Sequence, residues 1–420
     1  MEKAILNHNP HWKEEYKNLY ARDKFDIIVD KLHLRQIQVL KGIRRSGKTT
    51  IFKLIINHLS RTVDSKSILY INLDDPYFGD ICSDSKNLYI LLELSEKLTG
   101  IKVAYLFLDE VQNVYNWEKF AKAIYDNQLV QKIFITGSNS SLLDGEYAKL
   151  LSGRYVQDTI YPLSFREILA INKIKDRLAL IENKAKLLNI IDGMMDFGSF
   201  VEVLDEPKYK REIVLSYYDT IIFKDCIANH HLRDSKTFKE LTNFVLSNSI
   251  NLYSYNSISK AIGLNDNTVK EYIKILIDSY MCNEIKQYSY SLKEQIKTKK
   301  KIYINDNSFL SQTSFRFSKD FGKRFENLVY TELLKLEFDL YYYNKYFECD
   351  FICVKDDKII AIQVCYELTS QNIAREVGGL KKLKIRTDKK VLITYNQDHN
   401  SLKMDLDDGI TIVPFWDFFS

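Results

Sequence analysis

Two short stretches carry residue types that can do phosphate chemistry. The first, GIRRSGKTT at 42–50, lies between an apolar run and an amphipathic one at 50–59. Its pattern, GxxxxGK[ST], is a strand-to-helix turn whose backbone N–H groups point at phosphate oxygens where the helix dipole favours negative charge. Lys48 is placed to reach the β and γ phosphates, and Thr49 to offer a hydroxyl to Mg²⁺. Gly42, Arg45, Ser46, Gly47, Lys48, Thr49 and Thr50 form the expected ATP-binding set, with Arg44 and Arg45 read as phosphate-proximal or surface charges rather than catalysts.

The second stretch, VAYLFLDE at 103–110, is an apolar run that ends in two carboxylates. Asp109 is expected to hold Mg²⁺ through water, and Glu110 to orient and activate the attacking water. An acidic pair favoured by a helix dipole would need no chemistry, but the phosphate-binding turn upstream argues against that reading. No guanine-reading NKxD element occurs, so ATP and Mg²⁺ are the expected ligands. A further apolar run at 132–136 ends in Gly137-Ser138-Asn139-Ser140, which offers Ser138 or Asn139 as a γ-phosphate sensor; a polar loop capping the next helix is the alternative.

These groups need a scaffold that brings several chain segments to one edge. Apolar runs at 36–40, 67–73, 103–108, 132–136 and 155–160 alternate with helical patterns, which predicts a parallel α/β sheet covered on both faces. The first domain is expected at 1–163. From 164 to 248 the period is helical, giving a lid or linker.

The motifs GIRRSGKTT at 42–50, FLDEVQNVYNWE at 107–118, ITGSNSSLL at 135–143, SGRYVQDTIYPLSFREIL at 152–169 and FGKRFENLVYTELL at 321–334 extend over nearly the whole chain. In them the chain resembles bacterial and archaeal AAA+ type ATPases that carry a C-terminal domain of unassigned function. The resemblance implies an additional-strand P-loop sheet, with a further strand between those bearing the two phosphate-site motifs. It also implies that Arg154 is placed like the box VII arginine of AAA+ initiators, as an arginine finger acting in cis or across a subunit interface. A structural arginine paired with Asp158 or Glu167 is the alternative.

At 249–310 the pattern predicts a winged helix-turn-helix: a helix at 255–262, a turn at Gly263-Leu264-Asn265, a second helix to 280, and wing strands at 281–287 and 299–304. Lys270 and Lys274 face outward on the second helix. The wing carries Lys293, Lys297, Lys299, Lys300 and Lys301, able to neutralise DNA phosphates. Packing against protein is the other common use of such a module.

From 311 to 420 helix and strand mix. Glu326, Asp350, Gln363 and Cys365 resemble the spaced acidic set of restriction-endonuclease-like folds, with Cys365 where the catalytic lysine belongs and Gln363 one charge short. The site is expected to be degenerate, with Lys381 or Lys382 as the substitute lysine. Cys349 and Cys353 lie four apart but have no second Cys/His pair nearby, so they read as core residues rather than metal ligands.

Composition bounds the rest. Hydrophobic residues make up 45% and charged residues 28% of 420, which suits a packed chain of two or three domains. A net charge of +4 does not by itself announce a polyanion partner. Six cysteines without a CxxC pair suit a reducing compartment. The N-terminus lacks a signal-like apolar region and no window has the apolar length of a membrane span, so a cytoplasmic protein is expected. The expected function is ATP binding and hydrolysis that moves the two C-terminal modules, acting on DNA. A nucleotide-driven switch that binds a protein partner and an ATP-gated nuclease are the alternatives, with a homo-oligomer compatible with each.

Overall fold

The computed structural model describes residues 1–140, 149–313, 320–398 and 409–420. Residues 141–143 of the motif at 135–143 lie outside them. Two compact units result: residues 1–162 with 278–280, and residues 163–277 with 281–420.

In the first unit β1 (Ile37–Lys41), β2 (Ile68–Asn72), β3 (Tyr105–Asp109), β4 (Lys132–Gly137) and β5 (Tyr155–Thr159) form one parallel sheet. Its order is β2-β3-β4-β1-β5, so β4 separates the strands that lead to Gly42 and Asp109. Alternation explains why the inner strands β3 and β4 are largely apolar on both faces, whereas the edge strand β5, with Gln157 and Asp158, is not. Val39, Leu69, Leu106 and Ile133 pack with Ile5, Leu88, Leu91 and Phe120 on one face. Leu40, Tyr70, Phe107 and Phe134 pack with Ile51, Phe52, Ile55 and Ile56 on the other. The latter set comes from the helix Lys48–Leu59, whose buried residues recur at helical spacing. Phe107 stacks on Phe134 with ring centroids 4.2 Å apart, and Phe52 meets Phe107 edge-on at 5.1 Å. Burying such a side chain contributes about 1.5–3 kcal/mol, which fixes this helix, and so the turn before it, onto the sheet.

In the second unit, residues 164–248 are helical, with Phe165–Ile171, Lys184–Phe197, Lys210–Thr220 and Ser235–Ser247 as principal helices. The first opens on a capping box between Ser164 and Glu167. These helices share a unit with the C-terminal segment: the Phe165 N–H donates to Glu332 at 2.9 Å, and Asp196 pairs with Arg324.

An eight-stranded sheet of order β13-β12-β11-β10-β9-β7-β8-β6 completes the unit. Its strands are β6 (Leu252–Tyr253), β7 (Cys282–Gln287), β8 (Lys300–Ile304), β9 (Asp339–Asn344), β10 (Glu348–Lys355), β11 (Lys358–Cys365), β12 (Lys389–Thr394) and β13 (Ile410–Pro414). The strands expected as a wing, β7 and β8, therefore continue into the C-terminal sheet, because β7 pairs in parallel with β9 at Lys286–Tyr341 and Gln287–Tyr342. An open strand edge finds a partner there rather than remaining a free hairpin. Asn327, on the helix Phe321–Lys335, ties that helix to β8 by accepting from the Ile304 N–H at 2.9 Å and donating to its C=O at 2.8 Å.

Candidate functional site

All five strands of the first sheet run the same way, so the turns that follow β1, β3 and β4 meet at its carboxyl edge. After β1 the chain turns through Gly42 at φ +144° and Gly47 at φ +95°. A Cβ on Gly42 would overlap the Ile160 carbonyl, so backbone freedom and closeness both demand glycine there, while at Gly47 the positive φ favours it. Lys48 is buried, and its ammonium donates to the carbonyls of Gly42 at 3.0 Å and Ile43 at 3.1 Å. Ser46 is buried as well, and its hydroxyl has no partner among the described residues. A buried hydroxyl and ammonium at the start of a long helix fit a polyphosphate. Arg45 is exposed and Thr50 half-buried.

Asp109 is buried and collects hydrogen bonds from three hydroxyls: Thr49 at 2.6 Å, Tyr70 at 2.9 Å, and Thr136. Burial pushes its pKa up and the neighbouring Glu110 adds to this, while the three donors oppose both. Burial also drives the Tyr70 hydroxyl well up, so Tyr70 remains a donor. Thr49 and Asp109 thus present a hydroxyl and a carboxylate side by side, a hard-oxygen pair suited to Mg²⁺.

Glu110 follows with φ +56°, a conformation uncommon for residues other than glycine, and its N–H donates to Thr136 at 2.9 Å. Its carboxylate accepts from Gln112 Nε2 at 2.5 Å, and the same nitrogen lies 3.4 Å from Ser138 Oγ. Ser138 is fully buried and Asn139 nearly so. The structure therefore gathers Lys48, Thr49, Asp109, Glu110 and Ser138 from three turns. It adds Arg22, Tyr70, Gln112 and Thr136. Tyr70 and Thr136 gave no signal because a neighbouring strand's residue matters only once strand order is known. Arg22 donates to the carbonyls of Ser46 at 2.9 Å and Tyr161 at 2.7 Å from a segment with no motif.

Arg154 lies elsewhere. It immediately precedes β5, and its carbonyl accepts from the Ile37 N–H at the amino end of β1, whereas the phosphate-binding turn leaves the carboxyl end. A strand's length separates them, so Arg154 is not a finger for its own chain's site. Its guanidinium grips Asp126 at 2.8 and 3.2 Å, not Asp158 or Glu167 as the alternative reading had it; Asp158 is taken by Lys31 at 2.8 Å.

The expected wing lysines divide. Lys270, Lys274, Lys293, Lys297 and Lys299 are exposed. Lys300 is not available to a phosphate backbone, because Glu284 at 2.7 Å and the Tyr255 hydroxyl at 2.6 Å hold it. Lys301 is turned inward on β8, its side chain 4% exposed, between Glu348 at 3.4 Å, Glu326 at 3.6 Å and Asp350 at 3.9 Å. Strand alternation and the pairing of β8 send it to the opposite face from its neighbour.

That placement also alters the expected degenerate nuclease site. Glu326 and Asp350 come together, but around the ammonium of Lys301 rather than with Lys381 or Lys382, which are exposed. Gln363 accepts from the Asp350 N–H at 3.4 Å and donates to Glu376 at 2.9 Å, and the Cys365 thiol points to the Glu367 carbonyl at 3.2 Å. Among the described residues no group of three or more His, Cys, Asp or Glu side chains is arranged to hold a metal. Cys349 and Cys353 are core residues of β10, and no disulfide forms among the described residues.

A parallel five-stranded sheet with a phosphate-binding turn after β1 and a carboxylate pair after β3 defines a P-loop ATPase fold of the AAA+ type. A family profile described as an AAA domain matches residues 34–169, and two described as domains of unknown function match 191–320 and 321–418. The chain belongs to the AAA+ type P-loop ATPases that carry such C-terminal domains. An uncharacterized protein of Methanocaldococcus jannaschii is 34% identical over 408 residues, covering 92% of this chain and 88% of that protein. One of Haemophilus influenzae is 30% identical over 366 residues, covering 85% and 88%. The Aeropyrum pernix Orc1 protein, solved in complex with DNA, aligns with 72% of this chain and 94% of its own at 14% identity and a TM-score of 0.32. No helix among the described residues is long and apolar enough to cross a membrane.

Proposed function

We propose that the protein binds ATP with Mg²⁺ and hydrolyses it, and that turnover moves a winged-helix and nuclease-like module acting on DNA. The observation that carries the ATPase reading is the 2.6 Å contact of Thr49 with Asp109, one residue before Glu110 and one after Lys48. Lys48 exchanges its loop carbonyls for the β and γ phosphates. Thr49 and Asp109 would hold Mg²⁺, which supplies neutralising charge on those phosphates. Glu110 orients water and accepts its proton, while Ser138 senses the γ-phosphate. The exposed Lys270, Lys274, Lys293, Lys297 and Lys299 support the DNA reading.

A second reading is a nucleotide-driven switch that binds a protein partner. It is favoured by Tyr290, Leu292 and Ile296, which are 80%, 73% and 70% exposed beside Lys293 and Lys297.

ATP hydrolysis by wild type and Glu110→Gln, with and without double-stranded DNA at low and moderate salt, separates them. The first reading expects turnover that DNA stimulates and salt suppresses, the affinity falling by about 0.9 log units per log unit of salt for each phosphate contacted. Glu110→Gln should bind ATP and fail to turn it over. Turnover indifferent to DNA would refute the DNA reading, and full activity in Glu110→Gln would refute the role of Glu110.

A further inference from the structure

Gln112 sits in the short turn Val111–Asn113, two residues past Glu110. Its Nε2 donates to Glu110 Oε2 at 2.5 Å and lies 3.4 Å from Ser138 Oγ. A group wedged against a carboxylate must be the donating nitrogen, so chemistry assigns the amide orientation and leaves Oε1 as the opposite atom. That oxygen is buried and accepts no hydrogen bond among the described residues. A buried acceptor without a donor costs roughly 1–3 kcal/mol. The left-handed backbone of Glu110 adds a cost of similar order, about 1–3 kcal/mol. Two unfavourable features in three residues, both beside the proposed reacting water, mark a site held for chemistry rather than stability.

We infer that Gln112 is a water-positioning residue for hydrolysis. Its Oε1 accepts one O–H of the attacking water, and its N–H group clamps Glu110 so that the carboxylate takes the other proton. The water oxygen then bonds to the γ-phosphorus. The bond from that phosphorus to the β–γ bridging oxygen breaks, and its electron pair leaves with ADP. Glu110 passes its proton to solvent as phosphate departs, and Gln112 neither gains nor loses one. Holding the water between two side chains supplies the orientation that a lone carboxylate cannot. The assignment rests on ATP hydrolysis at this site.

The test uses the full chain as wild type, Glu110→Gln, Gln112→Leu and Gln112→Glu. Steady-state hydrolysis gives kcat and KM, and a fluorescent non-hydrolysable ATP analogue with Mg²⁺ gives Kd. Leucine removes both hydrogen bonds at similar size, while glutamate keeps an acceptor but sets a second carboxylate against Glu110. Each should lower kcat by about 10²-fold, the cost of a misplaced reactant, with analogue Kd within about twofold of wild type. A folded variant that keeps wild-type kcat overturns the assignment. So does a loss that falls in Kd with kcat intact, or failure of both variants to fold, since each makes Gln112 a structural residue. Wild type that binds the analogue but never turns ATP over sinks the hydrolysis reading itself; activity lost in Glu110→Gln but kept in Gln112→Leu sinks only this inference.

Discussion

Replacing Lys301 by Met tests how the acidic cluster of the second unit is held. The two side chains have similar volume, so packing contributes little and the change is mainly electrostatic. The ammonium lies 3.6 Å from Glu326 and 3.9 Å from Asp350, and its side chain is 4% exposed. Glu348, at 3.4 Å, is 56% exposed and screened by water, so it adds little. Removing the cation of a buried pair costs about 3–5 kcal/mol, because the charge left behind is unpaired.

The sign with pH follows from the carboxylates. Burial raises the pKa of both Glu326 and Asp350, and Lys301 opposes the rise. A carboxylate with a raised folded pKa binds more protons folded than unfolded, so stability falls as pH climbs from the ordinary carboxylate range through the folded value. Without Lys301 that window extends upward. Lys301 itself is raised above the ordinary lysine value, so its contribution in wild type stays complete below about pH 10. The variant should therefore lose about 3–5 kcal/mol at pH 8 and roughly half of that or less at pH 5, where the carboxylates take up protons. Urea unfolding followed by near-UV circular dichroism reads this, since Tyr303 stacks on Tyr330 at 4.5 Å and donates to Glu326 at 2.6 Å. A variant within about 1 kcal/mol of wild type at both pH values would refute the reasoning, because an exposed pair behaves that way.

Two further outcomes concern the nucleotide site. Lys48→Ala removes the buried ammonium from the turn and should abolish ATP binding, read as loss of fluorescent-analogue anisotropy; binding within about tenfold of wild type, or 1.4 kcal/mol, would contradict its role. Because burial raises the pKa of Asp109, the share of ATP affinity that Mg²⁺ provides should grow as pH rises above the ordinary carboxylate range, and Asp109→Asn should flatten that dependence. Calorimetric titration with and without Mg²⁺ measures this, and a steep pH dependence surviving in Asp109→Asn would contradict it.

Local chemistry was legible in the residues themselves. The turn at 42–49 has glycine at 42 and 47, where φ is +144° and +95°, a lysine and a threonine at the helix start, and an apolar strand before it, all within one short segment. Asp109-Glu110 is readable for the same reason, since the end of an apolar strand is a local property. Alternating apolar runs also entail a sheet covered on both faces. Partners that depend on which strands become neighbours were not readable. Tyr70 reaches Asp109 from β2 and Thr136 reaches it from β4, on either side of β3. Arg154 precedes a strand that lies beside β1, yet at the edge away from the turn that follows β1, because parallel pairing puts the start of β5 against the start of β1. Lys299, Lys300 and Lys301 are one basic run in the sequence, but the pairing of β8 leaves the first exposed, ties the second to Glu284 and buries the third between Glu326 and Asp350. Local motifs determined the turn that leads into the helix at Lys48 and the carboxylate pair that ends β3, since each is set within one short segment; long-range strand pairing decided which charges face water, because a strand's two faces differ only once each has been covered.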